Sequence, residues 1–435
     1  MQSAESFASR SRPAVATGCA EPGAVARTGG SGAGDAMLSE NSNIHHDKEC
    51  RPSVLFSKLV AHKDEKTKRI CKRTYQVSKH IILVVVGLSF LYMIKFALDP
   101  EECDMMNFHH MPSDHSQRAQ KYTKQVLQAK CRPSFVKEEM GRLFLEKYNM
   151  NTFPFVKRNV TAHKAVFTYE PPFGFHKYSE KLQDLLELLP EHDLPESLQS
   201  KNCKHCVVIG SSGVLHGLEL GYALNQFDIV IRLNDAPVRG YENDVGNKTT
   251  IRMTYPEGAP LSDHEYYPNS LFVAVLFKSV DFAWIQAVLK NETLPFWMRL
   301  FFWRHVPERI PLTPKQFRIL NPLIVTETAL GFLEYPKPQW HFWGLMNENV
   351  PTTGVIAVVL ALHLCDEVSL AGFGYDLSQP NIPLHYYDNL CMAAIKGQKM
   401  HNVTTEGKFL QKLIKEGVVK DLSGGIHCNF CRRAN

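Results

Sequence analysis

The feature that most constrains this chain is an uninterrupted apolar run, HIILVVVGLSFLYMIKFAL, from His80 to Leu98, in which Lys95 is the only fully charged residue. At 1.5 Å of helical rise per residue, eighteen such residues reach about 27 Å, near the hydrocarbon thickness of a thin secretory-pathway membrane. Lys95 lies near one end, where a long side chain can carry its ammonium to the interface. Lys63, Lys66, Lys68, Arg69, Lys72, Arg73 and Lys79 precede the run, and Asp99, Glu101, Glu102 and Asp104 follow it. The positive-inside bias therefore predicts a single-pass type II signal anchor over 80–98, with the remaining three-quarters of the chain in the lumen. A cleaved signal peptide would sit at the extreme N-terminus and end in small residues, which this run does not. A buried core helix would leave the preceding basic residues without a reason.

Cysteines and sequons fit that topology. Cys19, Cys50 and Cys71 precede the anchor, where thiols stay reduced. Eight more follow it, an even number compatible with disulfides in an oxidising lumen. Sequons begin at Asn159, Asn247, Asn291 and Asn402, all beyond the anchor, and mark candidate glycosylation sites. The net charge of +5 is small for 435 residues and gives no reason to expect nucleic acid.

The composition divides the chain into a cytosolic tail (1–79), the anchor (80–98), a polar lumenal stem (99–130) and a single folded domain (131–435). The tail is poor in large apolar residues up to about residue 45, hence disordered, and basic near the membrane. HHMPSDH (109–115) has no usual metal-ligand spacing. Within 131–435, strand-like runs (CVVIG 206–210, FDIVIRL 227–233, LFVAVLF 271–277, EVSLAGF 367–373) alternate with helical ones (a turn and then a helix in SSGVLHGLELGYAL after the first strand, VIAVVLALHLC 355–365, KFLQKLIKEG 408–417). The alternation predicts an α/β domain with a mainly parallel twisted sheet, Rossmann-like, whose ligands lie at the carboxyl ends of the strands.

Gly210, Ser211, Ser212 and Gly213 form a tight turn after the first strand, a place where backbone N–H groups can approach a phosphate or simply close a turn. The spacing is not G-x-G-x-x-G, which argues against a nicotinamide enzyme. The longer stretch CVVIGSSGVLHGLELGYALNQFDIVIRLNDAPVRGYENDVGNKTTIRM (206–253) resembles the large motif of animal sialyltransferases. PTTGVIAVVLALHLCDEVSLAGFGYD (351–376) resembles that family's small motif, and HYYD (385–388) and His401-x-x-x-x-Glu406 follow in the family's order. TYPEGAPLSD (254–263), LPFWMRLFFW (294–303) and VVKDLSGGI (418–426) are similar to the branch of the family that acts on lactosylceramide.

The resemblance implies a glycosyltransferase-A-like variant of the fold, a CMP-sialic acid donor, a lactosylceramide acceptor and residence in the Golgi membrane. It assigns Asn234 to the ribose or phosphate of CMP, and the cytidine to Thr352, Thr353 and Gly354 at a helix start. Where many relatives carry asparagines in the glycine turn, Ser211 and Val214 stand here. It also implies a Cys206–Cys365 disulfide; Cys131–Cys203 is a second expected bridge. Cys428-Asn-Phe-Cys431 has no second pair and reads as a terminal extra.

Sialyl transfer with inversion needs a base at the acceptor hydroxyl and a donor to the leaving phosphate. His401, just before a helix expected from Thr404 or Thr405, is the expected base, with Glu406 in the first turn to orient it. His385 is expected at the phosphate, with Tyr386 or Tyr387 adding a hydroxyl. No Asp-x-Asp occurs, so no metal cofactor is expected. LPFWMRLFFWRHV (294–306) reads either as an interfacial element or as a buried aromatic helix. The sequence leaves open a homo-oligomer or a complex with other glycosyltransferases.

Overall fold

A computed structural model describes residues 76, 78–91, 113–159, 163–190, 193–338, 349–396 and 400–431. The chain divides into two compact units, Met1–Tyr92 and Met93–Asn435. In the first, residues 78–91 are helical and their apolar side chains are exposed. The rest of the expected anchor, 92–98, lies outside the described residues. No helix among the described residues is long and apolar enough to cross a membrane.

The second unit is built on a seven-stranded sheet: β1 (His205–Ile209), β2 (Ile229–Leu233), β3 (Ile251–Thr254), β4 (Leu271–Ala274), β5 (Phe317–Ile319), β6 (Glu367–Ala371) and β7 (Val419–Asp421). The order is β5-β4-β3-β2-β1-β6-β7 and every pairing in it is parallel. Parallel strands need covered faces, and these strands are apolar on both. On β1, Cys206 and Val208 face one core, while Val207 and Ile209 face another. On β4, Phe272 and Ala274 face a third.

Six helices are used below: α1 (Ser113–Gln128), α2 (Phe135–Leu143), α3 (Ser279–Lys290), α4 (Phe296–Arg299), α5 (Thr353–Leu364) and α6 (Val403–Lys415). α5 is apolar almost all round, and eleven of its twelve residues are buried. It packs against β1, β2, β3 and β6 as the central helix of one face. α6 carries apolar residues on one side only, Phe409, Leu410, Leu413 and Ile414, and ends where Gly417 takes a φ of 74°.

Two expectations change. The stretch after β1, expected as a turn and then a helix, forms a 3₁₀ turn (Gly213–Leu215) and a helix of only one turn (Gly221–Leu224). Gly217 and Glu219 have φ of 74° and 53°, and both donate their N–H to the Asp244 carboxylate, which breaks the helix between them. The stem is also shorter than expected. α1 lies inside the segment assigned to it, yet Ala119 and Thr123 are fully buried and Val126 nearly so. The reason is an amphipathic face hidden among many polar residues: Ala119 and Val126 pack with Leu218, Leu220 and Leu224 in the core under β1.

Candidate active site

The chain runs from β1 outward to β5, then returns to place β6 on the other side of β1. That reversal opens a crevice at the carboxyl ends of β1 and β6, where open parallel sheets bind ligands. A cavity of about 1160 Å³ occupies it. Its walls include Gly210 and Ser211 after β1, Asn234 after β2, Gly372 to Tyr375 after β6, and the start of α5.

Of the two readings of the turn after β1, three of its four N–H groups serve the one in which it closes the fold. Gly210 donates to the Ala371 carbonyl (2.8 Å), Ser212 to Gly372 (3.0 Å) and Gly213 to Leu384 (3.0 Å). The Ser212 hydroxyl donates to Gly374 (2.9 Å). A Cβ on Gly210 would strike the Gly372 carbonyl, and one on Gly213 the Pro383 carbonyl. These glycines thus let the loops after β1, after β6 and before His385 close against each other. Ser212 and Gly213 do not line the cavity; Gly210 and Ser211 do.

Asn234 sits in the left-handed region at φ 48°. Its N–H donates to Met253, and its carbonyl accepts from Arg252, whose other terminal nitrogen pairs with buried Glu265 at 2.7 Å. The backbone is therefore held from both sides while the side chain lines the cavity. Its Oδ1 is buried without a partner among the described residues.

At α5, Thr352 is the N-cap and its Oγ1 accepts from the Val355 N–H. The N–H groups of Thr353 and Gly354 meet no acceptor among the described residues, which leaves two free donors and the positive end of a twelve-residue helix at the cavity wall.

His401 precedes Asn402, whose Oδ1 accepts from Thr405 as the N-cap of α6. Nδ1 of His401 is 2.6 Å from the Val350 carbonyl, so Nδ1 carries the proton and donates it. Nε2 is then the basic nitrogen of a neutral ring. Burial holds the imidazole below its ordinary value, and the Val350 bond only partly opposes this. Glu406 does not orient it. Its carboxylate accepts from the N–H (2.8 Å) and hydroxyl (2.5 Å) of Thr352 instead, and burial pushes it up to about 7. The expected role fails because α6 points this side of its first turn at the α5 cap.

His385 lines the cavity with Nδ1 2.8 Å from Asp388, and it stacks on Tyr387 at 5.1 Å between centroids. Tyr386 faces the core: its hydroxyl donates to Pro237 and it is 4% exposed. Of the two tyrosines, Tyr387 lines the cavity and Tyr386 is packing.

Short motifs missed several contributors. Lys278 lines the cavity opposite, bonded to both oxygens of Glu257 (2.8 and 3.0 Å) and to Asp281 (2.8 Å). Buried Arg232 bonds the Val245, Gly246 and Lys248 carbonyls and the Thr249 hydroxyl, which fixes the 245–249 loop. The signal for Arg232 is a lone charge within an apolar strand.

The expected Cys206–Cys365 and Cys131–Cys203 disulfides are present. Cys428 and Cys431, expected as a terminal extra, form a third, and Phe430 between them packs on His115 and Tyr122 of α1. His115, Cys428 and Cys431 are the one cluster of metal-ligating types among the described residues, but both sulfurs are committed to the bridge and none of the three lines the cavity. The asparagines of all four sequons are exposed.

A doubly covered parallel sheet with a helix-capped cavity at its switch point, two histidines on its wall and, among the described residues, no covalent nucleophile poised on a base fits a glycosyltransferase. The sequence profile of glycosyltransferase family 29 (sialyltransferase) matches residues 155–418, and this chain belongs to that family. It is 60% identical over 399 residues to the lactosylceramide alpha-2,3-sialyltransferase of Homo sapiens, covering 92% of this chain and 94% of that one. It is 40% identical over 297 residues to the CMP-N-acetylneuraminate-beta-1,4-galactoside alpha-2,3-sialyltransferase of Mus musculus, 68% and 78% of the respective chains. A crystal structure of a mammalian sialyltransferase in complex with Gal-beta-1-3GalNAc-ortho-nitrophenol shares the fold, with a TM-score of 0.51 and 21% identity over 67% of this chain and 98% of that one.

Proposed function

We propose that this chain transfers sialic acid from CMP-sialic acid to the 3-hydroxyl of the terminal galactose of lactosylceramide, in one inverting displacement. The observation that carries the mechanism is His401, neutral by burial and held through Nδ1 by the Val350 carbonyl at the cavity. Nε2 takes the proton of the galactose hydroxyl as its oxygen attacks the anomeric carbon. The bond from that carbon to the CMP phosphate breaks, and the leaving oxygen receives hydrogen bonds from His385 and from the free N–H groups of α5. Asn234 Oδ1 accepts from a CMP hydroxyl. With those donors the phosphate needs no metal. The acceptor is supported by the name of a relative that is 60% identical over 92% of this chain. A type II anchor over 80–98 places the domain in the Golgi lumen.

The test is transfer of labelled sialic acid by the purified full chain to lactosylceramide and to a desialylated glycoprotein, each with and without EDTA. The expected result is EDTA-resistant transfer favouring lactosylceramide, reduced about 10²-fold or more in His401→Ala. Preference for the glycoprotein would replace the acceptor. Full activity in His401→Ala would remove the base.

A further inference from the structure

Segment 294–306 is not a buried aromatic helix. Leu294, Phe302 and Val306 are buried, while Phe296, Trp297, Leu300, Phe301 and Trp303 are exposed by 76, 57, 71, 64 and 73%. Five large apolar side chains within eight residues make a patch that soluble surfaces seldom carry without a partner. Two facts indicate its occupant. First, the patch runs into the site: Phe301, Trp303 and Arg304 line the same cavity as His401. Second, the segment's arginines are neutralised, Arg299 by Glu308 (2.5 Å) and Arg304 by Asp235 (2.7 Å), so what remains outward is apolar contact without net charge. Tryptophan, phenylalanine and leucine at a surface of this sort match the headgroup–acyl boundary of a bilayer.

We propose that Phe296, Trp297, Leu300, Phe301 and Trp303 dock the catalytic unit on the lumenal bilayer surface, so that the cavity mouth meets a sugar whose lipid stays in the membrane. This rests on the lipid-borne acceptor proposed above. The docking is apolar, so it survives salt that would strip a basic patch from anionic lipid.

The test reconstitutes the full chain in phosphatidylcholine vesicles containing lactosylceramide and compares wild type with Phe296→Ser/Trp297→Ser/Leu300→Ser, whose positions lie outside the cavity wall. Three readouts are taken: quenching of tryptophan fluorescence by brominated lipid, transfer to vesicle lactosylceramide, and transfer to soluble lactose. The wild type is expected to be quenched equally at low and high salt. The triple variant is expected to lose about tenfold in transfer to lactosylceramide, with lactose turnover unchanged. Trp297→Phe alone should keep the lipid activity. Equal loss on both acceptors, salt-labile quenching, or a variant that changes only the oligomeric size of the protein would overturn the docking. Wild type that is quenched but inactive on lactosylceramide would instead overturn the acceptor.

Discussion

Five residues beyond His401, Glu406 commits its carboxylate to Thr352, joining the cap of α5 to the first turn of α6. This makes it a positioning residue for two walls of the cavity. Its partner lies 54 residues away, so no local pattern could reveal it. The same holds for the Val350 carbonyl that fixes His401. The motif order did single out His385 and His401, and both line the cavity. Burial raises Glu406 from 4.5 to about 7. Between those values the folded protein holds a proton that the unfolded chain releases, so this stabilising contribution is full below pH 4.5 and is lost as pH rises through 7. Glu406→Gln keeps the shape without the titration. Its thermal midpoint, relative to wild type, should rise between pH 4.5 and 7, and kcat should fall far less than the roughly 10²–10⁴-fold typical of a lost proton-transfer group. Scanning calorimetry across that range with parallel turnover decides this; a kcat loss matching His401→Ala would make Glu406 a catalytic residue.

Among the elements, buried parallel strands were the most legible. β2, β4 and β6 fall inside the mostly apolar runs and β1 all but His205, because a strand covered on both faces is rich in apolar residues. α5 was legible for the same reason. The region after β1 was not, since its break depends on Asp244, more than twenty residues on. The Cys206–Cys365 bridge ties β1 directly to the end of α5, and both sulfurs lie in the core. In the chain-entropy model, a closed loop of 159 residues contributes about 5 kcal/mol. That is a large part of the stability of an ordinary domain. Cys206→Ala/Cys365→Ala should therefore lower the thermal midpoint by about 10–20 °C. A shift of only a few degrees would mean that α5 packing alone holds the two elements together.

At the scale of the whole molecule, the extent of the folded unit is where sequence and structure part. The boundary near Cys131 rested on the polar composition of 99–130, yet α1 buries His115, Ala119, Thr123 and Val126 on one side. Its inner side is bound to distant chain at several points. His115 Nε2 lies 3.1 Å from the Ser423 carbonyl, and Ser116 and Gln120 both donate to Leu218 (3.0 and 3.1 Å). Phe430, held in the Cys428–Cys431 loop, packs on the outer end of the same helix. A chain cut to 131–435 would expose Leu218, Leu220 and Leu224, each fully buried beneath α1, and leave the Leu218 carbonyl without its two donors. Stripping cover from that core should cost about 3 kcal/mol or more, a drop of at least about 5 °C in thermal midpoint against 113–435. Both truncated chains keep Cys131–Cys203 and every cavity residue, so the comparison isolates α1. Because α1 and the turn after β1 share one core, and that turn supports Gly210 and the His385 loop, transfer activity should fall with stability. Equal midpoints and equal turnover would return residues 113–130 to the stem, and the helix would then be a surface appendage that the catalytic unit does not need.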